Sequence, residues 1–166
     1  MDSIENKVAK SGLKTIDLEE LRPNWNIVGI DIAEHLVEGL MLREKDFRAF
    51  VNESDWSIYK DKHVHVFCST DAIVPTWAYM LLANKLASYT KDMYFGSTDD
   101  FKRKLWNDLV DDLNLEAYTD QRVIIKGCSD EQIDESIYMK LTARLTPVVK
   151  SLMFGEPCST VPIFKR

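Results

Sequence analysis

The chain has 166 residues, of which 45% are hydrophobic and 29% are charged, and this composition suits one compact domain with a buried core. The formal net charge of -6 repels phosphate backbones and anionic lipid headgroups, which excludes nucleic acid and membrane surfaces as expected partners. The amino terminus has neither a basic start nor an apolar stretch, and no run approaches the roughly 18 apolar residues of a membrane span. We therefore expect a cytoplasmic protein.

The first part of the chain gives one strand pattern and one helical pattern. Residues 26–32 (NIVGIDI) form a short apolar run that predicts a first strand, although Gly29 and Asp31 weaken the pattern. Apolar residues then recur at roughly helical spacing between positions 36 and 51, and Gly39 divides this stretch into two predicted helical pieces.

The central part of the chain predicts two strands and two helices. Residues 62–68 (KHVHVFC) are rich in β-branched and aromatic side chains, which is typical of a strand. Residues 75–87 are apolar on nearly every side and predict a buried helix, and residues 92–95 predict a short strand that ends at a glycine. Ser97 then caps a helix whose predicted inner face consists of Phe101, Leu105, Leu109 and Leu113.

The last part of the chain repeats this alternation. Residues 122–126 (RVIIK) predict a strand that is buried on both faces, as in parallel sheets. Ser129 and Gln132 have the spacing of a capping box, which predicts that a helix begins there and ends at Pro147. Residues 148–154 predict a final buried strand, and residues 160–164 predict an edge strand or a surface tail.

Strand and helix alternate about four times, which predicts the α/β class: a single three-layer domain with a mostly parallel sheet and helices on both faces. Residues 1–22 are predicted to form an N-terminal extension or arm, and residues 23–166 the single α/β domain. No internal repeat is evident in the sequence.

Three cysteines form the most distinctive chemical pattern. Cys68, Cys128 and Cys158 are each followed by serine, and each comes at or shortly after the end of a predicted strand. The carboxyl ends of parallel strands meet at one edge of a sheet, where binding crevices form. A reducing cytosol disfavours a structural disulfide, so the pattern predicts a three-cysteine site for a metal ion or for sulfur chemistry.

Three thiolates leave a tetrahedral metal one ligand short. Asp71 and His65 are the candidates for a fourth ligand, although Asp71 also suits a helix cap and strand alternation places His65 on the face opposite Cys68. Soft sulfur ligands favour zinc or iron, or the transfer of sulfur and iron–sulfur species. His63 and His65 fit better as rings that are packed against a helix or solvated near the start of the strand, and His35 fits a surface residue.

Two other functions remain open. In the first, Cys128 is a catalytic nucleophile whose pKa is lowered by the helix that Ser129 caps, with the other cysteines as resolving thiols. In the second, the cysteines are buried structural residues of a non-enzymatic interaction module, and the charged helix face of residues 43–48 docks a partner. No Gly-x-Gly-x-x-Gly or phosphate-loop pattern is present, so no nucleotide cofactor is indicated.

Several long motifs carry a resemblance to a known family. These are residues 68–83 (CSTDAIVPTWAYMLLA), 123–128 (VIIKGC), 155–166 (GEPCSTVPIFKR) and 39–48 (GLMLREKDFR). Together they make the chain similar to the bacterial domain-of-unknown-function family DUF2480. The resemblance implies no established activity; it implies an association with gene neighbourhoods for iron–sulfur cluster assembly, and hence a protein of that system as a partner. The family's cysteine motifs fall on Cys68, Cys128 and Cys158.

Overall fold

A computed structural model describes residues 12–127, 132–156 and 159–166. The chain divides into two compact units, of which one comprises Met1–Pro23 with Arg103–Arg166 and the other comprises Asn24–Lys102. The strands are β1 (Leu13–Ile16), β2 (Ile27–Asp31), β3 (Leu36–Val37), β4 (Met41–Leu42), β5 (His63–Phe67), β6 (Asp92–Phe95), β7 (Arg122–Ile125), β8 (Ser151–Glu156) and β9 (Ser159–Lys165). The α-helices are α1 (Leu18–Leu21), α2 (Glu44–Glu53), α3 (Thr76–Leu86), α4 (Thr98–Asp112) and α5 (Glu135–Leu145).

The unit Asn24–Lys102 is built on a parallel three-stranded sheet in the order β2-β5-β6. β5 is the central strand, and four of its five residues are buried. One face of the sheet packs against α2 and α3 through a core of apolar side chains that includes Phe47, Val51, Val64, Leu82 and Leu86. Burial of this apolar area is the main favourable contribution to the stability of the unit.

The other unit is built on a four-stranded sheet in the order β1-β7-β8-β9. The first three strands are parallel, and β9 pairs antiparallel with β8 at the edge. Val123, Ile124 and Ile125 of β7 are all at most 2% exposed, so this strand is covered on both faces. Helix α5 buries Ile137, Leu141 and Leu145, which are spaced four residues apart along one helical face.

The structure confirms the α/β class and the mostly parallel pairing of the strands. A single three-layer domain is not confirmed, because the strands are divided between two larger sheets and a short β3–β4 ribbon. The predicted first strand, the central strands and the edge strand near the carboxyl terminus all lie within two residues of their expected bounds. Beginning the last buried strand at position 148 was wrong by three residues.

Two local predictions were wrong for identifiable reasons. Residues 36–42 form the β3–β4 hairpin rather than a helical piece, because Glu38 and Gly39 both adopt positive φ and turn the chain. Helix α5 begins at Glu135 rather than near Ser129: the Asp134 side chain accepts a hydrogen bond from the Ser136 amide at 2.9 Å and supplies the cap. Ser129 itself lies outside the described residues.

The structure also reveals an internal repeat that the sequence alone did not indicate. The described elements from the start of α2 to the end of β6 correspond to elements 59 positions later, so that α2, β5, α3 and β6 correspond to Arg103–Asp112 of α4, β7, α5 and β8. Pairing registers correspond as well: Val64 lies opposite Met93, and Val123 lies opposite Leu152.

Turn geometry supports the same correspondence. Asp61 and Asp120 both have positive φ, and their amides donate to the carbonyls of Tyr89 and Val148 at 3.0 and 2.9 Å. Identical residues recur at corresponding positions; they include Tyr59 and Tyr118, Tyr79 and Tyr138, Met80 and Met139, Leu82 and Leu141, Phe95 and Phe154, and Gly96 and Gly155. Each unit therefore has the same frame: a first strand, then a central strand, a helix and a third strand.

We expect Asp17→Ala to lower the free energy of unfolding by about 2 kcal/mol, because Asp17 is only 8% exposed and caps α1 through the amides of Glu19 and Glu20. Asp17→Asn keeps an acceptor oxygen and should lose less. Urea denaturation measures both values. The control is Asp108→Ala, which removes an exposed helical ion pair with Lys104 and should change stability by under about 0.5 kcal/mol. Equal losses in Asp17→Ala and Asp108→Ala would contradict the cap's role.

Candidate functional site

An aspartate organises the carboxyl edge of the three-stranded sheet. Asp31, the last residue of β2, accepts hydrogen bonds from the amide of Ala33 at 2.9 Å and from the amide of Ser69 at 3.0 Å. Burial opposes its ionisation, but the hydrogen bonds from Ser69 and Ala33 outweigh burial and lower the pKa of Asp31. This carboxylate therefore ties the end of β2 to the loop that follows β5.

Cys68 begins that loop and is half-buried. Its Sγ lies 3.4 Å from the Thr70 hydroxyl oxygen, within hydrogen-bond distance for sulfur. Burial, and then the nearby Cys68, raise the pKa of the Tyr79 phenol. The thiol thus lies at the carboxyl end of β5, as the sequence predicted, in a partly accessible polar setting.

His65 is held by contacts at both ring nitrogens. Nδ1 lies 3.0 Å from the carbonyl oxygen of Gly96, and Nε2 lies 3.0 Å from the Thr98 hydroxyl. A carbonyl only accepts, so Nδ1 carries a proton and donates to Gly96, while Nε2 and the Thr98 hydroxyl form the second hydrogen bond. The ring stacks on Phe67 at a centroid distance of 5.1 Å. Both ring nitrogens of His65 are thus engaged in hydrogen bonds, and coordination of a metal would require the ring to lose one of them.

Gly29 makes room for these two rings. A Cβ at position 29 would lie 2.8 Å from Nε2 of His65, which is closer than Cβ atoms approach their neighbours, and 3.0 Å from Cε1 of Phe67, which is tighter than most such contacts. Glycine in the middle of β2 is therefore required by the packing of β5 side chains. The weak strand signal at this position in the sequence has a structural cause.

A cavity of about 490 Å³ lies beside these residues. This volume is in the range of small-molecule pockets. Its wall combines the carboxylates of Asp31 and Glu34, the imidazoles of His35 and His65, the hydroxyls of Tyr59 and Thr98, and apolar surface from Gly29, Ile30, Phe50 and Phe67. Neither lysine nor arginine occurs among the described residues that line it.

His35 differs from the surface residue that the sequence predicted. It is half-buried, and its ring stacks on Phe50 at a centroid distance of 3.6 Å. Burial lowers the pKa of His35 more than the charges of Glu34 and Asp31 raise it. Burial, and then Glu34, raise the pKa of Tyr59. At neutral pH the cavity wall therefore carries a neutral imidazole and a protonated phenol.

The carboxyl edge of the four-stranded sheet has an aspartate in the corresponding place. Asp17 follows β1, and its Oδ2 lies 2.6 Å from Nζ of Lys126, which follows β7. The hydrogen bond to Lys126 is the largest cause of the lowered pKa of Asp17, and the same bond raises the pKa of Lys126. At the position that corresponds to Phe67 in the other unit, this unit has Lys126, which forms the ion pair with Asp17.

Glu156, the last residue of β8, also lies at this edge. Its Oε1 is buried and has no hydrogen-bond partner within the described ranges, and its charge helps to raise the pKa of Lys126. A buried carboxylate oxygen needs a hydrogen-bond donor or a cation beside it, which makes this atom a candidate ligand. Cys128 and Cys158, predicted at this edge, lie outside the described residues.

The structure bears on the other predicted residues as follows. Asp71 is exposed, and Pro75 stands at the cap position of α3 without a side-chain cap bond, so the predicted capping role of Asp71 was wrong. His63 packs edge-on against Phe101 of α4 at 6.1 Å, and His65 bonds Thr98 of the same helix, as their helix-packed interpretation predicted. Within residues 12–127, 132–156 and 159–166, no three His, Cys, Asp or Glu side chains are grouped to hold a metal ion.

The charged helix face of residues 43–48 pairs internally. Arg48 Nε lies 2.8 Å from Glu44, and Arg43 lies 3.3 Å from Asp46. These are exposed pairs one helical turn apart, as expected for a solvated face.

Comparisons with known proteins give one family match. Residues 2–166 match the family described as "Protein of unknown function (DUF2480)". No curated protein and no solved structure matches the chain. In the described part of the chain, no helix is both long enough and apolar enough to cross a membrane.

We expect the wild-type free energy of unfolding to fall as the pH decreases below about 6.5, because the unfolded chain protonates His35 at its ordinary value while the folded chain resists protonation. His35→Phe retains a ring and removes this titration, so its stability should decline less between pH 7.5 and 5.5. Urea denaturation at both pH values measures the difference, and comparison with wild type cancels the other histidines. Identical pH dependence in both proteins would contradict the lowered pKa.

Proposed function

Because the chain belongs to DUF2480, a family of unknown function, we propose from its structure that Cys128 and Cys158 bind Zn²⁺ or an iron species at the carboxyl edge of the four-stranded sheet. The observation that carries this proposal is the parallel pairing of β7 with β8, in which Ile125 lies opposite Phe154. Cys128 comes three residues after Ile125, and Cys158 comes four residues after Phe154. The chain thus leads to both cysteines from neighbouring strand ends.

Glu156 fits the third ligand position of such a site. Its buried Oε1 has no hydrogen-bond partner in the part of the chain that the structure describes, and carboxylate oxygens bind zinc together with thiolates. Two thiolates and one carboxylate leave a fourth position open, which is the arrangement of a site that exchanges a ligand. Lys126 and Asp17 neutralise one another beside it, so the net charge of the edge depends on Glu156 and the thiols.

The same ligands could hold sulfur or iron–sulfur species, which thiolates bind. The partner implied by the family resemblance, a protein of iron–sulfur assembly, stays a prediction. Cys68 follows a strand of the other sheet. Substitution of Cys68 therefore distinguishes a two-cysteine site from the three-cysteine site that the sequence suggested.

Thiol catalysis by Cys128 is less well supported. Its proposed activation depended on a helix beginning at Ser129, whereas α5 begins six residues later at Glu135. Neighbouring strand ends would equally suit a dithiol and disulfide couple. Thiol counting before and after mild oxidation tests it, and a protein that lacks metal and loses two thiols would support the couple.

We expect protein purified without added metal to contain zinc or iron, measured by elemental analysis. Cys128→Ser and Cys158→Ser should each abolish the metal, because a single thiolate leaves too few ligands. Glu156→Gln should reduce it. Cys68→Ser is the matched control and should retain the metal. Equal loss in all three cysteine variants would favour a three-cysteine site, and absence of metal with unreactive thiols would refute metal and thiol functions together.

The cavity of the unit Asn24–Lys102 supports a second candidate function, the binding of a small aromatic amine. Its charged side chains are the carboxylates of Asp31 and Glu34, and the hydrogen bonds that lower the pKa of Asp31 keep it ionised. Phe50, Tyr59 and Phe67 present aromatic rings to the same space. Carboxylates beside aromatic faces favour a cation over a neutral or anionic ligand.

We expect tyramine to bind this cavity more tightly than tyrosol or 4-hydroxyphenylacetate, which share its ring and carry a neutral and an anionic head. Glu34→Gln should weaken tyramine binding about two- to fivefold, as expected for the loss of one exposed charge. The control Glu53→Gln removes an exposed carboxylate at the end of α2, away from the cavity wall, and should have no effect. NMR titration of the full chain measures all of these affinities. Equal binding of the three compounds would refute this candidate.

A further inference from the structure

The two repeats differ at the outer edge of their third strands. β8 has β7 on one side and β9 on the other, whereas β6 has β5 on one side and is the last strand of its sheet. β6 and β8 correspond residue by residue. The corresponding glycines at their carboxyl ends, Gly96 and Gly155, have similar positive φ angles of 137° and 120°. Among the described residues, no strand pairs with the outer edge of β6 as β9 pairs with β8. The amide of Met93 on β6 instead donates to the Asp92 side chain at 2.8 Å, a bond that an added strand would replace.

Corresponding cavities lie beside both edges. In the unit Asn24–Lys102 a cavity of about 180 Å³ is lined by residues that include Val66, Tyr79, Ala83 and Phe95. In the other unit a cavity of about 530 Å³ is lined by their counterparts Ile125, Tyr138, Thr142 and Phe154. The second cavity has one wall that the first lacks, Ile163 of β9.

The aromatic pair in each cavity shows what β9 contributes. Tyr79 and Phe95 meet edge-on at 4.9 Å, and Tyr138 and Phe154 meet edge-on at 5.6 Å. Phe95 nevertheless remains 66% exposed, whereas Phe154, which pairs with Val161 of β9, is half-buried. Of these two corresponding phenylalanines, Phe154 is thus partly covered by β9, whereas Phe95 is exposed to solvent.

We propose that the open edge of β6 binds an extended segment of a partner protein, paired antiparallel as β9 pairs with β8. This is strand addition, in which main-chain hydrogen bonds supply affinity and side-chain pockets supply specificity. The segment carries an aliphatic side chain where β9 has Ile163, which would cover Phe95 and the cavity beside Tyr79.

Charged residues at the edge of β6 indicate which residues the partner segment carries at its carboxyl end. On β8 the antiparallel strand ends with Lys165 opposite Ser151, and Arg166 lies 3.5 Å from Asp120. The corresponding residues beside β6 are both acidic, Asp92 for Ser151 and Asp61 for Asp120. A partner segment that ends in two basic residues therefore meets the carboxylate of Asp61, and Asp92, which already accepts a hydrogen bond from the Met93 amide, adds negative charge to the same edge; this favours binding in one direction.

The test uses the full chain and an acetylated peptide with the sequence of residues 159–166 (STVPIFKR). NMR titration should show shifts concentrated at residues 92–96 and at Tyr79. Phe95→Ala should weaken binding about tenfold, since aromatic anchors dominate such interfaces, and its exposed position lets the fold persist, which circular dichroism checks. Asp61→Asn should weaken binding about two- to fivefold. The peptide that carries Ile163→Asp should bind much more weakly.

Asp120→Asn is the matched control, because it makes the same change at the edge that β9 already covers. Peptide affinity should be unchanged in this variant. Three results would overturn the proposal: shifts confined to β8 and β9, which would show exchange with the chain's own strand; equal effects of Asp61→Asn and Asp120→Asn; or a dimer in light scattering that Phe95→Ala dissociates, which would make a second copy the occupant.

Discussion

Parallel strand pairing is the constraint on which each unit depends. Strands that are covered on both faces must be apolar along their length, and their carboxyl ends need polar groups to hold the chain where it leaves the sheet. Both units meet this need with an aspartate. Asp17 caps α1 and binds Lys126, and Asp31 caps the turn after β2 and binds Ser69. In each case one carboxylate connects the end of the first strand to the chain that follows the central strand, and it thereby shapes the edge where the candidate sites lie.

The repeat explains why chemistry should be sought where the units differ. The shared frame consists of buried apolar positions and turn aspartates, which stability alone requires. Against that frame, the unit Asn24–Lys102 has His65, Phe67 and an open cavity where the other unit has Ile124, Lys126 and an ion pair. Within the described ranges, its third strand also lies at the edge of the sheet, where the other unit has β9 beside β8. Two copies of one framework thus offer different surfaces to ligands, because only side chains at the edges and the added strand have changed.

Patterns that depend on neighbours in the chain were predictable. The strand at His63–Phe67 and the helix at Thr76–Leu86 follow from runs of β-branched and apolar residues. The β3–β4 hairpin was not predictable from spacing, because Leu36, Leu40 and Met41 satisfy a helical period equally well and only positive φ at Glu38 and Gly39 separates the two structures. The start of α5 was missed because two residues, Ser129 and Asp134, could each act as a cap in the sequence, and only the structure shows that Asp134 is the cap of α5. The repeat was missed because most corresponding positions share only their burial, and burial is a property of the fold.

By itself the sequence determined the α/β class, the order of most strands and helices, and the placement of Cys68 at the end of a strand, because these follow from local periodicity. Tertiary structure decided which strands share a sheet. It assigned the strands before Cys128 and Cys158 to one sheet and the strand before Cys68 to another, and among the described residues it placed β6 at a sheet edge where β8 has β9 beside it. Strand neighbours are set by long-range pairing and by the burial of whole faces, and no spacing along the chain encodes these directly.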